Sequence, residues 1–271
     1  MNRGLLIKSL REVWIATVLF ALALMVLEAI FAYVLPTFAD QFSTVLLQLE
    51  FVQRMVQALL GTDIGDQISP DVFSSIAWAH PVVLTIVWAH AIIFCTRVPA
   101  GEIDRGTIDL LFGLPVSRWR IYRCESAVFL VTGLIVISMG LLGNTLGSLS
   151  QEPDSRPDLS RSVVVVVNLY SLYLAVGGLA FLTSSLANHR GRAVAVVFAI
   201  LLASFLLNFL AQLWPPAEKL SFLSILNYYQ PLVVLRQSGW PTMDLVVLTG
   251  LAATLWIIGG LCFARRDICT V

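Results

Sequence analysis

Apolar residues in this chain gather into six long runs separated by short polar stretches. The runs extend from about Trp14 to Leu35, Ser74 to Val98, Glu125 to Gly147, Ser162 to Leu186, Ala193 to Leu213 and Met243 to Ala264. A hydrocarbon core about 30 Å thick is crossed by roughly 20 residues of helix, and each run meets that length. Membrane strands need only about 9–11 residues and alternate strictly; these runs do neither. Away from water, backbone groups must bond one another, so such runs predict helices. The expected architecture is an all-α membrane protein of six transmembrane helices, a single domain over residues 1–271. The first run is too long for a secretory signal, and Pro36 and Phe38 follow it instead of a small-residue cleavage site. It is expected to remain as a signal-anchor helix.

The segments between the runs carry their own patterns. Leu6, Leu10, Val13 and Trp14 recur at helical spacing, while Arg3, Lys8, Arg11 and Glu12 take other faces. Residues 1–12 are therefore expected to form an interfacial helix before the chain turns into the membrane. Residues 36–71 and 214–242 are expected to be outer loops. In the first, Val45, Leu49, Val52, Val56 and Leu59 predict an amphipathic helix on the outer surface. A seventh span is disfavoured there, because Glu50 and Arg54 near its centre would each cost about 2.5–3.5 kcal/mol. Gln151 to Arg161, with two prolines and Asp154 and Asp158, reads as a short polar turn. The 214–242 loop holds Pro215, Pro216, Tyr228, Tyr229 and Trp240 and is expected to re-enter the interface, where Tyr and Trp are enriched.

Composition agrees. The hydrophobic fraction is 58% and the charged fraction 13%, against about 45–50% and about 25% in soluble domains. An ordinary soluble enzyme is excluded, because a globule of this size cannot bury so much apolar surface. Basic and acidic side chains number 17 each, so a basic nucleic-acid binder is excluded as well. Where the charges lie is more informative. With the N-terminus in the cytoplasm, 12 Lys and Arg residues fall inside and five outside. That asymmetry places both termini in the cytoplasm. Asp40, Glu50, Asp63, Asp66 and Asp71 all fall in the first outer loop. Cys95, Cys124 and Cys269 lie near the inner surface and Cys262 in the last span, so no disulfide is expected. Their spacings match no metal motif.

The segment Gly101 to Arg118 joins spans two and three. At about 100° per residue, Ile103, Thr107, Leu110, Leu111 and Leu114 form one stripe, with Glu102, Arg105 and Asp109 opposite. Pro115 ends the helix, because it lacks an amide hydrogen and disfavours helix in the residue before it. The apolar back can lie on membrane helices and the charged front can meet a cytoplasmic partner. The same pattern also suits a connector that snorkels its arginines to acidic lipid.

The string Glu102-x-x-x-Gly106-Thr107-x-Asp109-Leu110-Leu111-x-x-x-Pro115-Val116-Ser117-Arg118 resembles the inner loop of type-2 ATP-binding-cassette (ABC) transporter permeases. There an acid precedes Gly-Thr-Leu-Glu-Leu-Leu and then Pro-Val-Ser-Arg. His80-Pro81, Leu226 to Pro231 and Arg265-Arg266-Asp267-Ile268 also resemble family segments. Two positions depart: Asp109 replaces the commoner Glu, and Glu125 stands where many members carry Lys.

The resemblance implies an exporter-like permease in the plasma membrane that pairs with a second copy or a sister permease. It implies a coupling helix over 101–118 that docks on a separate nucleotide-binding ATPase subunit. Glu102, Asp104, Arg105, Gly106, Thr107, Asp109, Leu110, Leu111, Pro115, Ser117 and Arg118 would make or shape that contact. ATP and Mg would sit on the partner, with no cofactor on this chain, since no Gly-x-x-x-x-Gly-Lys-Ser/Thr loop occurs in these residues. Two other readings stand beside it. A non-transporting membrane scaffold or assembly factor would look much the same. An intramembrane enzyme would need a nucleophile with a base, or metal ligands, at depth, and no such motif appears.

Polar residues inside the spans are the remaining candidates. Glu28, His90 and Asn144 are candidates for a translocation path, because intramembrane ionisable groups are costly and often functional. Glu28 could meet a cation, a proton or a polar substrate, or be a hydrogen-bonded acid inside the bundle. His80 and His90 stand ten residues apart, too far along one straight helix to share a metal. His80, before Pro81, is expected to pack or to start the helix. Asn144, Asn168 and Asn208 are expected to bond between helices. Gly177-Gly178 and Gly259-Gly260 allow close approach or kinks. Few buried charges and no large outer domain favour an amphipathic or lipid-like cargo.

Overall fold

The computed structural model describes residues 3–37, 49–61, 70–153, 156–237 and 239–267. The sequence-based expectations on Asp40, Val45, Asp63, Asp66, Asp154, Ile268 and Cys269 fall outside them. Helices account for the secondary structure of the described residues, and none of these residues is in a strand. Six helical segments are long and apolar enough to cross a membrane. They are α1 (Arg3–Thr37), the α3–α4 pair (Pro70–Ala79 and Pro81–Cys95), α6 (Arg118–Ser148), α7 (Leu159–Leu186), α8 (Arg190–Leu213) and α10 (Thr242–Arg265). Shorter helices α2 (Glu50–Leu60), α5 (Ile108–Phe112) and α9 (Pro231–Arg236) lie between them.

α7 is the hub. In its most apolar stretch 72% of residues are buried, against 22% in α1 and α8 and 17% in α10. Those outer helices keep large apolar side chains on their far faces, such as Leu19 and Val246. A water-facing surface does not carry such a patch; lipid or another subunit covers it.

The closest seam joins α1 to α6. A Cβ added at Gly143 would stand 2.0 Å from the Met25 carbonyl oxygen, and one at Gly147 would stand 2.3 Å from that of Ala29. Only hydrogen fits at these places, so the two backbones touch. Gly143-x-x-x-Gly147 is the sequence signature of this seam. Gly177-Gly178 and Gly259-Gly260 also lie at close approaches among α6, α7 and α10, as expected.

The second span is interrupted at His80, whose ring accepts the Val82 amide at 3.2 Å and so caps α4. Pro81 then occupies the first helical position, where its missing N–H is harmless. The span stops at Cys95 rather than Val98. Val98 leaves helical geometry (φ −130°, ψ 127°), as a residue before proline tends to do.

Two expectations change. Residues 3–12 are not a separate interfacial helix; they are the first turns of a continuous α1. No proline or glycine intervenes between Leu5 and Thr37 except Pro36 near the end, so nothing breaks the helix. The amphipathic helix in 36–71 exists as α2, but it does not simply lie on the surface. Its Val56 and Leu60 pack with Val72, Ile76, Ala79 and Leu232. The 214–241 segment folds back onto the same end of the bundle. Tyr229 donates to the Trp78 carbonyl at 3.2 Å, and Ser224 donates to the Ser204 carbonyl at 2.9 Å.

Candidate coupling segment and membrane-embedded polar cluster

The Gly101–Arg118 segment lies at the end of the bundle that carries the start of α1 and Arg266, here termed the basic end. It is not one helix. A wide turn (Arg97–Gly101) leads into one helical turn, Glu102–Asp104, and α5 follows after a break. The break is Gly106, whose φ of 67° lies in the left-handed region, where a side chain is strained.

The predicted stripe therefore holds only in part: Ile103 and Leu111 pack inward, whereas Leu110 and Leu114 do not. Ile108 and Leu111, not Leu110 and Leu114, form the buried back, packing with Leu5, Val98, Ile121 and Cys124. Leu110 is 75% exposed and Leu114 42%. α5 stops at Phe112, before Pro115 is reached, and Pro115 is exposed.

Glu102 also departs from its predicted place on the charged front; it is buried. It accepts from the Thr107 hydroxyl and from Arg105 at 3.0 Å, and lies 3.8 Å from the Lys8 ammonium. Its backbone carbonyl accepts the Thr107 amide at 2.9 Å. Glu102 and Thr107 thus close the turn around Gly106. Asp104, Arg105 and Asp109 are exposed. Asp104 meets His189 at 2.9 Å and accepts the Arg190 amide at 3.4 Å, tying the segment to the start of α8. The hydrogen bond from the His189 ring, with help from Arg190, holds the Asp104 carboxyl below its ordinary range. Ser117 caps α6 by accepting the Arg120 amide at 3.3 Å. The Arg118 guanidinium stacks 4.4 Å over the Phe112 ring and donates to the Arg266 carbonyl.

Beneath the segment is a cluster that sequence reasoning missed. Arg97, 8% exposed, donates to Glu12, to Glu125 and, at 2.7 Å, to the Ser9 hydroxyl. Ser9 in turn donates to Glu125 at 2.9 Å, and Lys8 pairs with Glu12 at 2.9 Å. These bonds join α1, the end of α4 and α6. Glu125, a departure from the resembled pattern, shares with Glu12 the pairing of Arg97. An acid opening an apolar run, opposite an arginine closing the previous one, was the available signal. At the same end, Arg266 donates to the carbonyls of Ser185 and Ala187 at 2.9 and 3.0 Å. A cation is well placed there, at a helix C-terminus.

Of the intramembrane candidates, Glu28 and Asn144 are brought together. Asn144 donates to Glu28 at 3.0 Å across the α1–α6 seam, and the other Glu28 oxygen has no partner among the described residues. His90 belongs elsewhere: its Nδ1 is 3.0 Å from the Tyr173 hydroxyl, with Phe20 edge-on at 5.5 Å. It lines a cavity of roughly 800 Å³ that opens toward the Glu102–Leu114 segment; Glu28 and Asn144 do not. Asn168 bonds the Tyr228 carbonyl at 3.2 Å, reaching the folded-back outer segment rather than another span. Cys95, Cys124 and Cys262 are free thiols.

Six spans with this inner loop call for comparison with membrane transport families. A family model described as ABC-2 family transporter protein matches residues 6–268. The chain belongs to the ABC-2 transporter family. No curated protein matches it. As an ABC-2 protein it is a multi-pass membrane permease subunit of an ABC transporter, and an ABC ATPase is the partner such a permease implies. In this ABC-2 chain the segment resembling the family loop is a two-piece turn locked by Glu102, Thr107 and Gly106.

Proposed function

We propose that this permease works as one half of an exporter in the plasma membrane, with the basic end in the cytoplasm. A separate nucleotide-binding ATPase, holding ATP and Mg, docks on the Glu102–Leu114 segment, and a second copy or a sister permease completes the transporter. The observation that carries the reading is the division of the leucines between two faces. Ile108 and Leu111 anchor a short helix to the bundle, while Leu110 and Leu114 stay exposed beside Asp104, Arg105 and Asp109. Exposed leucines rimmed by charge fit a protein partner. The ties of Glu102 to Lys8 and of Asp104 to His189 would carry a push on the segment into α1 and α8. A two-state permease needs only that ATP-bound and ATP-free partners prefer different arrangements.

The test is co-purification from the native membrane under gentle extraction. Leu110→Arg should abolish recovery of the ATPase while leaving the permease's thermal unfolding unchanged. Leu19→Arg, on the far face of α1, controls for a general effect of charge. An intact permease that never brings an ATPase, or an L110R variant that still does, would overturn the docking site. A scaffold would keep its partner but show no ATP-dependent movement of cargo across proteoliposomes.

A further inference from the structure

We propose that the cavity between α1, α4 and the Glu102–Leu114 segment binds an acidic amphiphile, its anionic headgroup at the basic mouth and its apolar body along α1 and α4. The proposal deepens the exporter reading by naming the chemical class handled, and it rests on that reading only for calling the ligand cargo. The deep wall is apolar and aromatic, formed by Val13, Ala16 and Phe20 on α1 and by Ile93 and Phe94 on α4. The mouth is basic. Lys8, Arg97, Arg105 and Arg190 line it, against the carboxylates of Glu12 and Glu102. The acids behind them are already engaged, Glu125 by Ser9 and Arg97 and Asp104 by His189.

Two buried polar atoms belong to residues that line this cavity. Among the described residues the Thr17 hydroxyl and the Arg97 Nε–H both lack hydrogen-bond partners, and both residues line this cavity while being 5% and 8% exposed. Buried polar groups in folded proteins are almost always bonded, and an orphan costs free energy. Arg190 adds a third feature. Its guanidinium donates to the neutral carbonyl of Ile93 at 2.9 Å and the Thr96 hydroxyl at 3.4 Å. Among the described residues, the ion pairs at this mouth engage Lys8, Arg97 and Arg105 but not Arg190. A phosphate or carboxylate supplies several acceptor oxygens at once and balances that charge. A purely apolar ligand would leave the donors desolvated, and a free anion would leave the aromatic wall without a partner.

The probe is lysophosphatidic acid carrying a fluorescent label on its tail, titrated into the full chain in an uncharged detergent. Lysophosphatidylcholine with the same label and free inorganic phosphate as competitor separate a lipid headgroup from a bare anion. The acidic lipid should bind at least about tenfold tighter than the zwitterionic one, the scale of one charge-assisted bond. Arg190→Gln should remove about that factor, and the near-isosteric Thr17→Val about threefold, with lysophosphatidylcholine unaffected by either. Equal binding of the two lipids, or no loss in T17V, overturns the site whether or not R190Q folds. Complete displacement by millimolar phosphate overturns the amphiphile in favour of an anion. Assaying the same preparations for bound ATPase separates the two readings. Lipid binding lost with ATPase retained strikes only this site; ATPase absent with selective lipid binding intact strikes only the docking proposal.

Discussion

Gly143→Ala adds one methyl group at the tightest point of the bundle. Its Cβ would stand 2.0 Å from the Met25 carbonyl oxygen and 2.7 Å from the carbonyl carbon. An ordinary carbon–oxygen contact is about 3.3–3.6 Å, so α1 and α6 must part by about 1.4 Å there. The next residue, Asn144, donates to Glu28 at 3.0 Å. Parting the helices stretches that bond past the roughly 3.5 Å at which it ceases to be one, and leaves a buried carboxyl wholly without partners. Overpacking costs about 1–3 kcal/mol and orphaning a buried polar group about another 1–3, so the loss is about 2–6 kcal/mol. The assay is thermal unfolding in detergent, with Gly250→Ala as the matched control. A Cβ on Gly250, in the same kind of helix, meets nothing within 4 Å. The identical chemical change there should be neutral or stabilising by about 0.5–1 kcal/mol, since alanine favours helix over glycine. If G143A and G250A melt together, the seam is not close-packed and the reasoning fails.

Other perturbations follow from the same geometry. Glu125→Leu leaves Arg97 buried with one carboxylate fewer and should cost about 3–5 kcal/mol. Adding Arg97→Met should restore part of that stability, and a double variant no better than E125L would refute the pairing. Ser117→Ala removes the cap of α6 and should cost about 1 kcal/mol in equilibrium unfolding; no change would mean the cap is idle. The Asp104 carboxyl is held below its ordinary range by His189, so its contribution is present above that range and is lost as pH falls through the depressed value. Protection of the amides at residues 103–107, measured as exchange relative to the unstructured rate at the same pH, should therefore fall only as pH drops below the ordinary carboxylate value of 3.8. Asp104→Asn should abolish that dependence; the same profile in D104N would point to another group.

Length and hydropathy made the six spans legible, because the bilayer sets one simple requirement that each run meets. Local signals also worked where the backbone has few choices, as at His80-Pro81 and in α2. What periodicity misread was the Gly101–Arg118 segment. A helical wheel presumes continuity, and one left-handed glycine, Gly106, rotates everything after it. Glu102 was misplaced for the same reason: closing that turn draws it inward onto Thr107 and Lys8. The Ser9–Arg97–Glu125 cluster was illegible because its members lie 28 to 116 residues apart. Charge counting registers Arg97 but cannot see its counterion. The Gly143-x-x-x-Gly147 signature was present in plain sequence, and only the structure reveals which helix it meets.

The continuity of α1 has a mechanical consequence. At 1.5 Å per residue its 35 residues make a rod of about 52 Å. The glycine seam at Met25 is its natural fulcrum, since there the two backbones touch. From that point to Lys8 is about 25 Å, and to Ala32, where Gln151 grips the carbonyl, only about 10 Å. The rod is a lever with unequal arms. A swing of about 2 Å at Lys8 arrives beyond the fulcrum as less than about 1 Å. A tilt about that point would gear a large displacement at the basic end down into a small one at the other.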